Sequence, residues 1–130
     1  MLKKFLIPTL LFMIFFTGCK EEEPVYDFNL SATTWKGKRV RGSTVFNYTF
    51  IFSADGSMGG NENFNGSPQN VTGTWVQDKT KVSVNYTVAG YAGTWRGEGE
   101  IDNAKTGMVY KGYWSQGAGA FDYTVNLTLK

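Results

Sequence analysis

The stretch that decides the fold of this chain is residues 44–53, which read TVFNYTFIFS. Its aromatic residues stand at every second position: Phe46, Tyr48, Phe50 and Phe52. Because successive side chains of a β-strand point to opposite faces, this spacing places all four rings on one side of a strand. Ala54-Asp55-Gly56 follows directly, and glycine readily takes the positive φ that tight turns need. We therefore predict a strand with one buried face that turns back in a hairpin.

The same alternation continues along the rest of the chain. Valine and tyrosine alternate with polar residues between Lys81 and Val88, and apolar residues alternate again between Phe121 and Leu129. From Thr34 onwards, apolar residues do not recur at helical spacing and glycine is frequent, so we predict no helix there. The predicted strands are Thr34–Arg41, Thr44–Ser53, Ser57–Phe64, Val71–Gln77, Lys81–Val88, Tyr91–Ile101, Met108–Ser115 and Ala120–Leu129.

Most of these strands are joined by short, turn-like connections, which predicts that neighbours in sequence pair antiparallel. Residues 34–130 are enough for one domain with one core. An open sheet would leave two edges able to pair with other chains, and closing the sheet removes both of them. We therefore predict an all-β fold, an antiparallel up-and-down β-barrel of about eight strands. A two-sheet β-sandwich is the alternative.

One predicted connection is long and polar. Residues 61–70 are rich in asparagine and also contain Gly66, Ser67 and Pro68. Connections of this length often line a binding site, so we predict a lid or rim there. A mobile loop without a function is the alternative.

Three of the four tryptophans follow a glycine two residues earlier, and these pairs are Gly73 with Trp75, Gly93 with Trp95, and Gly112 with Trp114. Residues two apart on a strand share a face, so the glycine leaves room beside a large ring. Together with Trp35-Lys36-Gly37 and the Asp55-Gly56 hairpin, this pattern resembles the small lipocalin-like barrels of bacterial lipoproteins. The resemblance implies a barrel that holds a ligand or a partner.

A narrower likeness is to the avidin family. It rests on Trp35 followed by Gly42-Ser43, on Ala54-Asp55-Gly56, and on Thr94-Trp95-Arg96-Gly97. The chain departs from that family in the longer spacing between Trp35 and Gly42, and in Gly37, which stands where the family places a polar ligand contact. Of the polar contacts that biotin would need, only Ser43 is matched.

The N-terminus predicts a lipid anchor. Lys3 and Lys4 precede an apolar stretch, residues 5–16, that is shorter than a membrane-spanning helix requires. The run Phe16-Thr17-Gly18-Cys19 resembles the lipobox of bacterial lipoproteins, which implies lipidation of Cys19 and cleavage before it. We therefore divide the chain into a signal peptide (1–18), a lipidated N-terminus with an acidic linker (19–33) and a β-barrel domain (34–130). An uncleaved membrane anchor is the alternative.

The residues after Cys19 bear on where the protein is located. Lys20-Glu21-Glu22-Glu23 resembles a signal that sends some lipoproteins to the outer face of the outer membrane, and a solvated spacer is the alternative. We expect a bacterial outer-membrane lipoprotein, on the periplasmic face or the cell surface, with palmitate among its lipids. Cys19 is the single cysteine, so the barrel must hold together without an intrachain disulfide.

Composition argues against several classes of function. The chain has 13 Lys and Arg against 11 Asp and Glu, and removal of Lys3 and Lys4 leaves equal numbers, so no nucleic-acid partner is expected. The chain has no histidine, and no nucleophile motif is present, so we expect neither an enzyme nor a metal site nor a cofactor. Glu98 and Glu100 share a strand face with Arg96. They are either an acid/base pair or cation site, or part of a solvated exterior, which we favour.

Aromatic side chains are the best candidates for binding, because tryptophan and tyrosine combine apolar area with a polar group. If the barrel holds a small apolar or amphipathic ligand, we expect one cavity lined by Trp35, Tyr48, Trp75, Tyr86, Trp95 and Trp114. If the core is solid, the protein is instead an interaction, inhibitor or scaffold module. Its protein partner would then be met by exposed residues such as Tyr91 and Tyr113.

Overall fold

Eight antiparallel strands close into a barrel in the computed structural model, which describes residue 18 and residues 26–130. The strands are β1 (Thr33–Arg41), β2 (Thr44–Phe52), β3 (Ser57–Phe64), β4 (Ser67–Asp78), β5 (Lys81–Val88), β6 (Thr94–Ile101), β7 (Gly107–Gln116) and β8 (Gly119–Leu129). Each pairs with its neighbour in sequence, and β1 also pairs with β8. The predicted barrel is confirmed, and the sandwich is not formed.

Some predictions fall on residues that lie outside the described part of the chain. These are the signal peptide up to Thr17, the lipidated Cys19 and the acidic run Lys20–Glu23. Within the described part, no helix has the length and apolar character needed to cross a membrane.

The barrel interior is filled mainly by aromatic rings. Tyr48, Phe50 and Phe52 of β2 are each at most 1% exposed, as the alternation of residues 44–53 predicts. The Phe50 ring centroid lies 5.4 Å from that of Tyr86 and 5.5 Å from that of Tyr110, across the barrel. Such tilted and edge-on contacts are favourable for aromatic pairs. The middle of the barrel is therefore a packed core.

Glycines make room for these rings, but the predicted pairing is wrong, because none of Gly73, Gly93 and Gly112 makes room beside the tryptophan that follows it. A Cβ atom on Gly112 would lie 2.1 Å from the ring of Tyr123 on the neighbouring strand β8. The predicted role of Gly112 is thus correct in kind, but the ring it accommodates is Tyr123 rather than Trp114.

The two ends of the barrel differ. At the closed end, which carries the β2–β3, β4–β5 and β6–β7 connections, the preceding segment 26–32 packs across the opening. Leu30 is fully buried there, and its N–H donates to Gln77 Oε1 at 2.9 Å. Gln77 Nε2 in turn donates to the Phe28 carbonyl at 2.8 Å. Residues 26–32, which the sequence analysis places in the linker, therefore contribute to the core.

The open end carries the β1–β2, β3–β4, β5–β6 and β7–β8 connections. The prediction of a long loop over residues 61–70 is wrong, because Asn61–Phe64 belong to β3 and Ser67–Asn70 to β4. Asn65 and Gly66 alone make the turn, with φ of 48° and 90°. Asn-Gly suits a two-residue hairpin because both residues accept positive φ. Similarly, β6 begins at Thr94, so residues 91–93 form a connection.

Replacing Leu30 tests the contribution of segment 26–32 to stability. We expect Leu30→Ala to lower the free energy of unfolding by about 2–5 kcal/mol, because it removes a fully buried side chain and leaves a cavity. Val40→Ala is the control, since Val40 is 60% exposed, and it should change stability by less than about 0.5 kcal/mol. Urea unfolding followed by tryptophan fluorescence measures both. Equal effects of the two variants would show that segment 26–32 adds nothing to the core.

Candidate ligand-binding site

The six aromatic residues predicted to line one cavity are divided between the two ends of the barrel. Trp35 and Trp75 lie at the closed end, where Trp75 Nε1 donates to the Ser53 carbonyl at 3.0 Å and Trp35 packs against Phe28. The other four lie towards the open end: Tyr48, Tyr86, Trp95 and Trp114. The predicted set therefore does not line one cavity.

A cleft of about 410 Å³ lies at the open end, and we call it the mouth cleft. Its walls are largely aromatic, and the rings are those of Phe46, Phe64, Tyr91, Trp95, Trp114 and Phe121. Its polar lining includes Arg39, Arg41 and Glu62. Tyr48 and Tyr86 lie beneath this lining, where Tyr86 stacks on Trp95 with ring centroids 6.0 Å apart.

The rings of the mouth cleft are held by contacts with one another and with the backbone. Trp95 and Trp114 face each other across β6 and β7, and their centroids are 6.2 Å apart. Trp114 stacks on Phe121 at 5.2 Å, and its Nε1 donates to the Ala92 carbonyl at 3.3 Å. Tyr91 packs edge-on against Phe64 at 4.9 Å. The cleft thus presents positioned aromatic surfaces to a ligand.

Two arginines of β1 form the positive part of the mouth cleft. The Arg39 guanidinium lies 4.1 Å from the Phe46 ring centroid and 4.6 Å from that of Tyr123. Arg41 lies 5.8 Å from the Phe121 centroid. Sequence analysis did not assign either arginine to the site, although alternation places both on the same strand face as the buried Trp35. Their position on the same strand face as Trp35 is the sequence signal that could have identified both arginines.

Glu62 is the buried acidic group of the mouth cleft and the second site residue that sequence analysis missed. It is 2% exposed, and its Oε2 has no hydrogen-bond partner in the described part of the chain. Burial raises the pKa of Glu62 to about 7, although hydrogen bonding by Tyr48 and the charge of Arg39 both lower it. Alternation along β3 could have identified Glu62, because it shares a face with the buried Met58.

Buried tyrosine hydroxyls extend the cluster of polar side chains around Glu62 into the barrel. Arg39 Nε donates to Tyr48 Oη at 3.1 Å, and the Tyr86 and Tyr123 hydroxyls are hydrogen-bonded at 2.7 Å. The Tyr110 hydroxyl is buried without a partner among residues 26–130, and burial raises its pKa to about 12. These phenols therefore stay neutral at physiological pH.

Depressions on the outer surface of β5–β8 differ in character from the mouth cleft. They are lined by side chains such as Arg96, Glu98 and Lys111, which are exposed. Glu98 and Glu100 both lie on this outer face, as the solvated-exterior interpretation predicts. No cluster of His, Cys, Asp or Glu able to hold a metal ion occurs among the described residues. The arrangement at the mouth cleft can bind a ligand by aromatic contact, positive charge and one buried carboxyl.

Comparison with known proteins supports the fold. No family model matches the chain, and no curated protein matches it. Among solved structures it is similar to core-bradavidin, of the avidin family, with 21% sequence identity and a TM-score of 0.50. The similarity covers 75% of this chain and 98% of core-bradavidin. At this identity it supports the barrel fold, which is avidin-like.

The buried carboxyl makes stability depend on pH. Glu62 keeps its proton up to about pH 7 in the folded protein, against an ordinary pKa of 4.5, so between these values the folded state binds more protons than the unfolded state. The free energy of unfolding therefore falls as the pH rises through this window, by on the order of 2–3 kcal/mol. Urea unfolding between pH 4.5 and 8 measures this fall.

The Glu62→Gln variant should lose this part of the pH dependence and be more stable than the wild type at pH 8. Glu98→Gln removes an exposed carboxylate on the outer face and should keep the wild-type slope. A Glu62→Gln variant that retains the wild-type slope would contradict the assignment of the titration to Glu62.

Proposed function

We propose that this protein binds a small amphipathic ligand in the mouth cleft. The observation that carries the proposal is an aromatic cleft of about 410 Å³ bordered by two arginines and a buried carboxyl whose Oε2 has no partner among the described residues. Small-molecule sites are commonly clefts of roughly 300–1,000 Å³ with apolar walls and few polar groups. By analogy of fold alone, the avidin-like barrel also supports small-ligand binding.

The lining supports a particular orientation of the ligand. Trp95, Trp114 and Phe121 offer apolar surface for a flat or aliphatic body. Arg39 and Arg41 lie on the side of β1 and favour an anionic group. The packed core below the cleft confines the ligand to the open end, because Phe50, Tyr86 and Tyr110 fill the middle of the barrel. Binding without catalysis is the activity that these groups support.

The two partly buried tryptophans at opposite ends of the barrel provide a matched test. We expect 2-naphthoate, an aromatic carboxylate, to bind the purified protein in calorimetric titrations, and Trp114→Ala to weaken binding about tenfold by removing a ring from the cleft wall. Trp75→Ala is the control, since its indole also donates to a backbone carbonyl but lies at the closed end. It should leave the affinity unchanged.

Failure of the wild type to bind 2-naphthoate, or equal loss in both tryptophan variants, would contradict ligand binding in the mouth cleft. The alternative of a solid-core interaction module would then be favoured. Tyr91, which is 46% exposed at the rim, would be its contact residue. Tyr113 is less suited to that role, because the Arg96 guanidinium lies 4.6 Å from its ring centroid.

We also propose that Cys19 carries a lipid and attaches the barrel to the outer membrane of a bacterium, on its periplasmic face or at the cell surface. The support comes from sequence: a basic start, a short apolar stretch, and Gly18 before Cys19. A thioether-linked diacylglycerol with an added acyl chain would anchor the protein stably, since two chains suffice where one is marginal.

Labelling with palmitate tests the anchor. In bacterial cells expressing the full chain, we expect labelled palmitate to be incorporated into the wild type and not into Cys19→Ser, because serine offers no thiol for the lipid. The variant should also keep its signal peptide, which mass spectrometry of the purified protein detects. Equal labelling of both proteins would exclude Cys19 as the lipidation site.

A further inference from the structure

Glu62 Oε2 is a buried polar atom of the mouth cleft that has no hydrogen-bond partner within residues 26–130. The Glu62 side chain lines the cleft and is 2% exposed, so solvent reaches it little. A buried carboxylate oxygen without a donor is costly, and more so than a neutral acceptor. A ligand that donates a hydrogen bond to this oxygen would therefore remove the free-energy cost of burying it without a partner.

The groups around Glu62 decide which kind of donor suits it. From the strands packed around it these are Arg39 of β1, Tyr48 of β2, Gln69 of β4, Tyr86 of β5, Tyr110 of β7 and Tyr123 of β8. Arg39 is the one charged group among these six, and burial raises the pKa of each tyrosine in the set. The surroundings of Glu62 are thus neutral apart from one positive charge.

This charge arrangement disfavours ionic donors and acceptors at Glu62. A cationic ligand would have to approach past Arg39 and Arg41, which also line the cleft and repel it. An anionic group placed at Glu62 would meet a carboxylate and bring no proton. A neutral N–H group supplies the missing donor without either repulsion.

We infer that Glu62 is the specificity-determining residue of the mouth cleft and selects ligands that present a neutral N–H group, such as an azole, lactam or amide, to its free oxygen. The inference rests on the proposed function and adds the chemical class of the ligand. In a flat heterocycle the N–H bond lies in the ring plane. The ring edge can therefore meet Glu62 while the ring faces contact the aromatic walls.

Ionisation of Glu62 makes the affinity for an N–H ligand depend on pH. The carboxylate accepts a charge-assisted hydrogen bond, which is roughly twice as strong as one to a neutral acceptor. Affinity for an N–H ligand therefore rises as the pH increases through about 7, where Glu62 ionises. The chain contains no histidine, so the side chain that most often titrates in this range is absent.

Indole and 1-methylindole provide the test, because they share the same ring and differ by replacement of the N–H with N–CH₃. We expect the purified protein to bind indole at least about tenfold more tightly than 1-methylindole at pH 8.5, since a site that hydrogen-bonds a ligand N–H rejects the analogue that lacks it. We also expect the affinity for indole to rise several-fold between pH 5.5 and 8.5. Calorimetric titration at both pH values measures these differences.

The Glu62→Gln variant, which keeps the size of the side chain and loses the charge, should bind indole with no pH dependence and with a smaller preference over 1-methylindole. Circular dichroism confirms that it is folded. As an independent measurement, carboxyl ¹³C NMR of the wild type should show that indole lowers the pKa of Glu62.

Two results would overturn the inference and leave the proposed function intact. One is binding of 2-naphthoate with no preference for indole over 1-methylindole, including no binding of either. The other is an indole preference and pH profile that Glu62→Gln leaves unchanged, which would place the acceptor elsewhere. Failure of 2-naphthoate to bind would instead contradict the proposed function, and the inference, which rests on it, would fail too.

Discussion

The rest of the structure depends on the close approach of β1 to β8 that closes the barrel. The two strands pair only over residues 35–37, and a Cβ atom on Gly37 would lie 2.5 Å from the Asn126 carbonyl oxygen. Any larger residue at Gly37 would push the two strands apart where they pair. Gly37 stands where the avidin family is expected to have a polar ligand contact. In this chain it instead lets β1 approach β8 closely enough to close the barrel. Beyond Gly37, towards the open end, no residue of β1 is in register with a residue of β8.

The mouth cleft lies at the open end, beyond the residues over which β1 and β8 pair. Past Gly37, the Arg39 guanidinium lies against the rings of Phe46 of β2 and Tyr123 of β8. Arg39 also donates to Tyr48, and both residues lower the pKa of the Glu62 carboxyl. A backbone constraint at Gly37 is thus linked through one arginine and one tyrosine to the buried acid. The positive charge of Arg39 partly offsets the free-energy cost of burying the Glu62 carboxylate.

Alternation in the sequence predicted the strands and their buried faces well, because strand periodicity is a local property of the chain. It could not predict the height of a side chain along the barrel axis, which depends on register and tilt. For this reason Trp35 and Trp75 were grouped with Trp95 and Trp114 although they occupy the other end. Glu62 and Arg39 were missed for a different reason: their alternation along β3 and β1 was readable, but aromatic side chains alone were taken as candidates for binding. Asn65-Gly66 was a local turn signal hidden within a polar stretch.

The closed end determines how a tethered barrel would present its site. The described chain enters the barrel there, with Leu30 buried and Asp27 paired with Lys105 of the β6–β7 connection. The mouth cleft lies at the other end of the same strands. If the chain is attached through Cys19, as proposed, the attachment joins the barrel at the end away from the cleft. Packing of segment 26–32 holds the chain against the closed end from residue 26 onwards, because Leu30 belongs to the core and Phe28 packs against it. A lipid anchor at Cys19 would therefore join the barrel at the end opposite the arginines and the aromatic walls of the mouth cleft.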